Sequence, residues 1–282
     1  MKTILILGSE GQIGRYLSNY LKKKNFKIIN FDLTNSTRED LRIHKNKKLI
    51  SSINNSDFIF FLAFDVGGAR YLKKYQTTYN FLMNNIKIMQ NTFEEIYKRK
   101  KNFIFASSQM SNMSYSSYGV LKKIGEELTS SLGGLSVRFW NVYGVEKNLQ
   151  KSHVITDFII KGIKNKKIKM LTNGEEKRDF LYAEDCCSGL EVIMNKFNKF
   201  KSRKYIDLNY GKTTKILDVA RILKIIFKEN GIKIKLIKGK SFDDIQKNKL
   251  NIATHTIYQY WKPKFDLKEG INKIFNYYFS RY

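Results

Sequence analysis

The sequence predicts an α/β fold, a doubly wound parallel sheet followed by a smaller C-terminal α/β lobe. Three observations predict it. Short, continuously apolar runs alternate with amphipathic helical patterns through the first half of the 282 residues. Strands buried on both faces read this way when crossover helices join them. A glycine triplet stands where the first apolar run meets the first helical pattern. The chain has one proline and no repeat or low-complexity tract, so no linker divides it.

Taken in order, Thr3–Leu7 reads as a buried strand and Ile13–Lys24 as a helix with Ile13, Leu17, Tyr20 and Leu21 on one face. Lys27–Asp32 is a second strand and Asp57–Ala63 a third. Tyr79–Tyr97 reads as a long helix, Asn102–Ala106 as a strand, Tyr118–Ser131 as a helix and Leu135–Phe139 as a strand. After about residue 145 the pattern loosens. Val154–Lys164 is a helix, Lys167–Leu171 a short strand, and Ala183–Asn195, Lys215–Glu229 and Leu267–Phe279 are helices. Residues 1–150 are therefore expected to form the first domain. Residues 151–282 form a lobe that sends segments back to it and supplies no parallel sheet of its own.

Composition narrows the classes. Apolar residues make up 42% and aromatics 14%, enough for a core and against disorder. No apolar run approaches the roughly 18 residues of a membrane span. The first apolar run is too short for a signal peptide and ends in glycine. The only cysteines, Cys186 and Cys187, are neighbours that seldom bridge, so a reducing cytoplasm is expected. The net charge is +27, but 10 of the 52 basic residues are arginine and the lysines are scattered among Asn and Ile. No basic–aromatic module is visible and a nucleic-acid partner is not expected. Such a field instead attracts a small anion.

Gly8-Ser9-Glu10-Gly11-Gln12-Ile13-Gly14 has the spacing G-x-x-G-x-x-G between a strand and a helix. The glycines permit a tight turn and let a pyrophosphate approach the backbone, while the helix N-terminus supplies amides. Asp32 ends the next strand, where a carboxylate accepts the ribose hydroxyls of NAD and repels a 2′-phosphate. No Arg adjoins it. Together these features predict a Rossmann-type sheet and NAD as cofactor. Tyr118 and Lys122 stand at i and i+4 on one helix face. A nearby ammonium and a bound nicotinamide cation favour the phenolate, which can take a proton from a secondary alcohol while hydride leaves. Ser107-Ser108 closes the strand upstream and puts a hydroxyl at the cofactor crevice. No metal is expected.

On these residues the chain resembles the extended short-chain dehydrogenases/reductases of the NAD-dependent sugar epimerase/dehydratase family, over almost its whole length. Phe61-Leu62-Ala63 resembles the segment beside the nicotinamide ribose, Asp40-Leu41 an adenine-flanking pair, and Asn85 a helix asparagine near the active site. Arg138-x-x-Asn141-x-Tyr143-Gly144 and Arg178-Asp179-Phe180 resemble motifs whose Asn and Arg face the diphosphate of a nucleotide sugar. Trp261-x-Pro263 with Leu267-x-x-Gly270 resembles a C-terminal signature. The resemblance implies Tyr118 as base, Lys122 as holder of the nicotinamide ribose, and Ser108 on the reacting hydroxyl. It also implies a homodimer through Tyr79–Tyr97 and Tyr118–Ser131, with no membrane partner. Tyr118 follows Ser108 by only ten positions, so the loop between them must be shaped unusually around the sugar.

The resemblance also bears on the reaction. Dehydratases of the family carry an acid after the serine; here Gln109 and Met110 stand there. Asp65-Val66-Gly67-Gly68 and Ser152-His153-Val154 resemble a GDP-sugar branch whose epimerising members pair such a His with a Cys, the place Gln109 takes. Gln109 is read as a substrate contact; His153 is either another or a plain helix start. Hydride chemistry at C4 remains. The features look closest to the GDP-D-glycero-D-manno-heptose 4-dehydrogenases of bacterial capsule assembly, with a GDP-sugar as substrate. A small 2-oxo acid, 2-oxoglutarate first, would take the hydride back. A C4 epimerase or C4 reductase is the alternative.

Overall fold

Side chains alternate across a strand. The first strand, β1 (Thr3–Leu7), therefore sends Ile4 and Ile6 to one core and Leu5 and Leu7 to another. All four are fully buried, which explains why the run is apolar throughout. The structure, a computed structural model, describes residues 1–241 and 251–282. After β1 come α1 (Gln12–Lys23), β2 (Lys27–Phe31), α2 (Lys47–Asn54), β3 (Phe58–Phe61), α3 (Ala69–Tyr75), α4 (Tyr79–Arg99), β4 (Phe103–Ser108), α5 (Ser117–Ser131), β5 (Leu135–Phe139) and β6 (Asn141–Tyr143). The second half adds α6 (Val154–Asn165), β7 (Lys167–Lys169), β8 (Lys177–Tyr182), α7 (Ala183–Asn195), α8 (Phe197–Phe200), β9 (Tyr205–Leu208), β10 (Thr213–Lys215), α9 (Ile216–Glu229), β11 (Lys235–Ile237) and α10 (Leu267–Phe279).

The central sheet has the order β2-β1-β3-β4-β5-β9, and every pairing in it is parallel. This is the Rossmann-type α/β fold that the alternation predicts. The same two-way alternation recurs in β3 and β4. Phe58, Phe60, Ile104 and Ala106 join the core under α1 and α7, while Ile59, Phe61, Phe103 and Phe105 join the core under α2, α4 and α5. Chain direction across the sheet reverses between β1 and β3, and a crevice opens beyond the strand ends at such a switch point. Polar caps set the helix starts around it. Thr78 caps α4, Ser116 caps α5, and Asp266 with Glu269 closes a capping box on α10.

Some expectations need correction. The lobe does contain a parallel pair of its own, β7 with β11. A second small sheet runs β10-β8-β6, with β8 parallel to β6 and antiparallel to β10. Strands of three residues are too short for periodicity to register. The same holds for the lysine- and arginine-bearing α3. β9 leaves the lobe to extend the main sheet beside β5. The remaining lobe core gathers α6, α9 and α10 around Phe158, Phe227 and Phe275.

Candidate active site

A cavity of about 1200 Å³ occupies the switch-point crevice and runs from the glycine turn to the far side of β8. Gly8 has φ +86°, and a Cβ on it would lie 2.7 Å from Ala63 N. A Cβ on Gly14 would lie 2.1 Å from Gly8 O, so only glycine lets α1 close onto the turn. α1 starts at Gly11 with no side-chain cap and no acidic residue in its first turn. Its first amides and dipole therefore suit phosphate. Gln12 and Ile13 line the cavity, Gln12 also donating to Gly144 O at 3.4 Å.

Asp32 lies just beyond β2 in the cavity wall. It accepts bonds from Glu10 N and from both Thr34 N and Thr34 Oγ1, each at 2.9 Å. The carboxylate is thus fixed. Leu41, Leu62 and Ala63 line the same wall. Asp40 lines it too, but its carboxylate clasps Arg42 at 2.8–3.1 Å, and Arg42 also reaches Asn84. The fold so brings an arginine that is distant from Asp32 in sequence into the adenosine end, already neutralised by Asp40. Asn85 is placed differently from the expectation. It is fully buried behind the cavity, donating to Asp65 O and Phe81 O and accepting from Asp65 N.

Ser108, Tyr118 and Lys122 converge at the end of β4, all buried and all in the cavity lining. Ser108 stands close enough to the Tyr118 phenol to favour its ionised form, and its own Oγ accepts from Met110 N at 3.1 Å. Lys122 Nζ donates to Ala106 O at 2.6 Å and sits 3.6 Å from the centroid of the Phe64 ring. The expectation that Lys122 lowers the Tyr118 pKa needs correction for the protein alone. Burial pushes the phenol up to about 12, and the neighbouring Ser108 hydroxyl offsets part of that. Burial likewise pushes Lys122 well below the usual lysine range, with the Glu126 charge opposing. A cationic ring beside the phenol is what would tip it toward the phenolate. Phe64 packs edge-on to Tyr118 at 5.8 Å, and nothing in its spacing marks it in the sequence.

Behind these groups stands a buried ion pair. Glu126 accepts from Arg138 at 2.6 and 2.7 Å and from Ser107 and Ser111 at 2.6 and 2.8 Å. It ties the serine pair, α5 and β5 together. Arg138 also stacks on Tyr205, 3.4 Å from the ring centroid.

The other half of the cavity holds Asn141, His153 and Arg178, all in the lining. Asn141 Nδ2 is buried with no hydrogen-bond partner among the described residues. Arg178 is held below the usual arginine range by burial, the Glu176 charge opposing. Gln109 does not line the cavity. Its side chain and carbonyl both accept from Asn251, so it props the segment after residue 250. His153 caps α6 and its Nδ1 lies 2.7 Å from Glu146 Oε1, while its amide donates to Glu146 Oε2. Burial works against the imidazolium, but the Glu146 charge and bond outweigh it and His153 is raised overall. Glu146, which the sequence did not mark, is correspondingly lowered overall by His153 against its burial. A Cβ on Gly68 would lie 2.2 Å from Ser152 O, so Gly68 admits the Ser152-His153 segment, while a Cβ on Gly67 would crowd Tyr71 at 2.9 Å. Arg70–Asp157 and Lys151–Asp65 bridges at 3.0 and 2.7 Å clamp the same contact. Among the described residues, no group of three or more His, Cys, Asp or Glu side chains could hold a metal ion.

Residues 4–211 match the profile described as the NAD dependent epimerase/dehydratase family, and the chain belongs to that family. Its cofactor is NAD, and the turn, α1 and Asp32 have the form such a group needs. The chain is 23% identical to UDP-glucuronic acid decarboxylase 1 of Xenopus tropicalis, covering 98% of itself and 72% of that protein. Its fold matches the epimerase Mth375 of Methanothermobacter thermautotrophicus at a TM-score of 0.85, with 17% identity and coverage of 99% and 93%. It also matches a GDP-6-OMe-4-keto-L-xylo-heptose reductase from C. jejuni at 0.82, with 18% identity and coverage of 100% and 98%.

Asp32→Asn is expected to weaken NAD and to narrow the gap to NADP. The amide removes a charge that opposes the 2′-phosphate while keeping an acceptor for the loop. Fluorescence titration of both dinucleotides checks this; a native protein that prefers NADP contradicts it.

Proposed function

We propose that the protein oxidises C4 of a nucleotide-diphosphate sugar, GDP-D-glycero-D-manno-heptose, to the 4-keto sugar. The observation that carries this reading is the Ser108–Tyr118–Lys122 cluster at the end of β4, inside one cavity with the glycine turn. Ser108 holds the C4 hydroxyl and Tyr118 takes its proton. NAD, when bound, accepts the hydride from C4. Lys122 holds the nicotinamide ribose, and the cationic ring it positions favours the phenolate. Residues 1–150 thus serve mainly the dinucleotide and 151–282 mainly the substrate; Asn141, from the first part, and Arg178 meet its diphosphate, and His153 meets the sugar. The orphaned Asn141 Nδ2 supports that placement.

Dehydration needs an acid beside the serine. Gln109 is neutral and turned to Asn251, and Met110 is apolar, so water loss from C6 has no catalyst there. The GDP-heptose assignment rests on the resemblance, and the fold it shares with the C. jejuni heptose reductase accommodates it. Formation of the 4-keto product would leave the bound cofactor reduced. A small 2-oxo acid, 2-oxoglutarate first, takes back hydride and a proton to become the 2-hydroxy acid. The test incubates the protein with a panel of nucleotide sugars and reads products by NMR. A 4-keto heptose supports the reading; a 4-epimer or a deoxygenated sugar contradicts it.

No helix among the described residues is long and apolar enough to cross a membrane. Cys186 and Cys187 are free and buried, and burial raises both thiols, which suits a reducing cytoplasm. We also propose a homodimer through α4 and α5. Between these helices lies an apolar groove lined by Met89, Phe93, Leu121 and Leu132. Around it Tyr97 is 68% exposed, Ile124 46% and Ile86 40%. Light scattering at micromolar concentration is expected to give twice the chain mass, and Ile124→Lys to give a monomer. A native monomer would overturn the proposal.

A further inference from the structure

We propose that Glu176 reads the base of the substrate nucleotide and that this base is guanine. The inference rests on the reading of the cavity as a nucleotide-sugar site. One end of that cavity is taken by the glycine turn and Asp32; the other is walled by Leu171, Thr172, Glu176, Arg178, Ile216 and Ser241. With the diphosphate on Arg178 and the sugar toward Tyr118, the nucleoside falls to this far wall. A carboxylate there repels phosphate, so it serves donors instead. Two kinds are available on a nucleoside, the ribose hydroxyls and the base edge.

Hydrogen-bonding geometry separates the bases. An ionised carboxylate offers two parallel acceptor oxygens and no donor. Guanine presents N1–H and N2–H side by side on one edge, which matches both oxygens at once. Uracil has one N–H between two carbonyl oxygens, and these would face the carboxylate with like partial charge. Adenine and cytosine each offer an amino donor beside a ring-nitrogen acceptor. Guanine alone pairs both oxygens without a clash. Charge-assisted bonds of this kind are about twice as strong as neutral ones.

The carboxylate is also held in place before any ligand arrives. Its Oε1 accepts from the Thr172 hydroxyl, which in turn accepts from Gly174 N at 3.3 Å. Gly174 has φ +83°, and its carbonyl accepts from Leu217 N at 2.9 Å, while Glu176 O accepts from Ile216 N at 3.1 Å. The turn is therefore stapled to the start of α9. Next to it Leu171 is 52% exposed in the cavity wall, an apolar face on which a base plane can lie. A leucine so exposed, beside a fixed carboxylate and an arginine, makes a poor surface patch and a good nucleoside seat.

The test uses the full-length protein as purified, titrated calorimetrically with GDP, IDP and UDP. IDP lacks only the 2-amino group of guanine. The native protein is expected to bind GDP at least about tenfold more tightly than IDP, because the lost donor leaves a charged acceptor unpaired. UDP should bind more weakly still. Glu176→Gln, which keeps an acceptor for Thr172, should weaken GDP at least about tenfold and bring the GDP-to-IDP ratio near one. Equal losses for GDP and IDP would assign Glu176 to the ribose and overturn the proposal. So would an unchanged GDP affinity, or tightest binding by UDP. If the native protein binds none of the three, the nucleotide-sugar reading itself fails, and the base assignment with it. The native ranking stands as a test even if the variant does not fold.

Discussion

Tyr118→Phe is expected to cut turnover at least about a hundredfold while leaving NAD bound. The substitution removes one oxygen from a ring that keeps its packing against Phe64. What is lost is the proton acceptor, and positioned general bases contribute about 10²–10⁴-fold. The phenol is buried and pushed up to about 12 in the protein alone, so it depends on its surroundings for activation. Turnover should therefore rise with pH as a larger fraction of Tyr118 becomes phenolate. Dinucleotide affinity rests on the glycine turn and Asp32 and should change little. Steady-state rates and a dinucleotide titration on the same preparation check both halves. Activity within tenfold of the native protein would remove Tyr118 from the role of base.

The second large effect is on stability. Glu126→Ala is expected to cost about 3–5 kcal/mol, because Arg138 would be left charged, buried and unpaired. Arg138 is 2% exposed and Glu126 fully buried, so water cannot substitute for the lost partner. Ser107 and Ser111 lose their acceptor as well, which loosens the strand end carrying Ser108. The pair should also make stability acid-sensitive. Burial raises the Glu126 carboxyl, but Arg138 and the two serines outweigh it and hold the folded pKa below the unfolded one. That contribution is present above the unfolded pKa and is lost as pH falls through the folded value. Thermal unfolding of native and variant protein across mildly acidic pH measures both. A variant as stable as the native protein would contradict the account of this pair.

What the sequence made legible was whatever depends on backbone need or fixed local spacing. Gly8 and Gly14 are readable because no other residue fits the turn, and Tyr118 with Lys122 because a helix puts i and i+4 together. The long alternating strands were readable because both faces are buried. Pairings between distant segments left no local signal. Asp65 and Lys151 meet 86 residues apart, and Arg70 meets Asp157 87 residues apart. Gly68 and Ser152-His153 are separate motifs in the sequence, and in the fold the missing side chain of one makes room for the other. Asn85 and Gln109 mislead in the opposite sense. Both are polar residues next to motif positions, and both spend their hydrogen bonds on the scaffold.

The central claim is net oxidation at C4 on a cofactor that stays with the protein. The most direct measurement mixes protein saturated with NAD with excess GDP-D-glycero-D-manno-heptose and follows nicotinamide absorbance with no other reactant added. The account predicts a burst of NADH close to one equivalent per site, then arrest, then renewed turnover when 2-oxoglutarate is supplied and 2-hydroxyglutarate appears. Continuous conversion of the sugar to its 4-epimer, with no accumulation of NADH and no need of an acceptor, would contradict it.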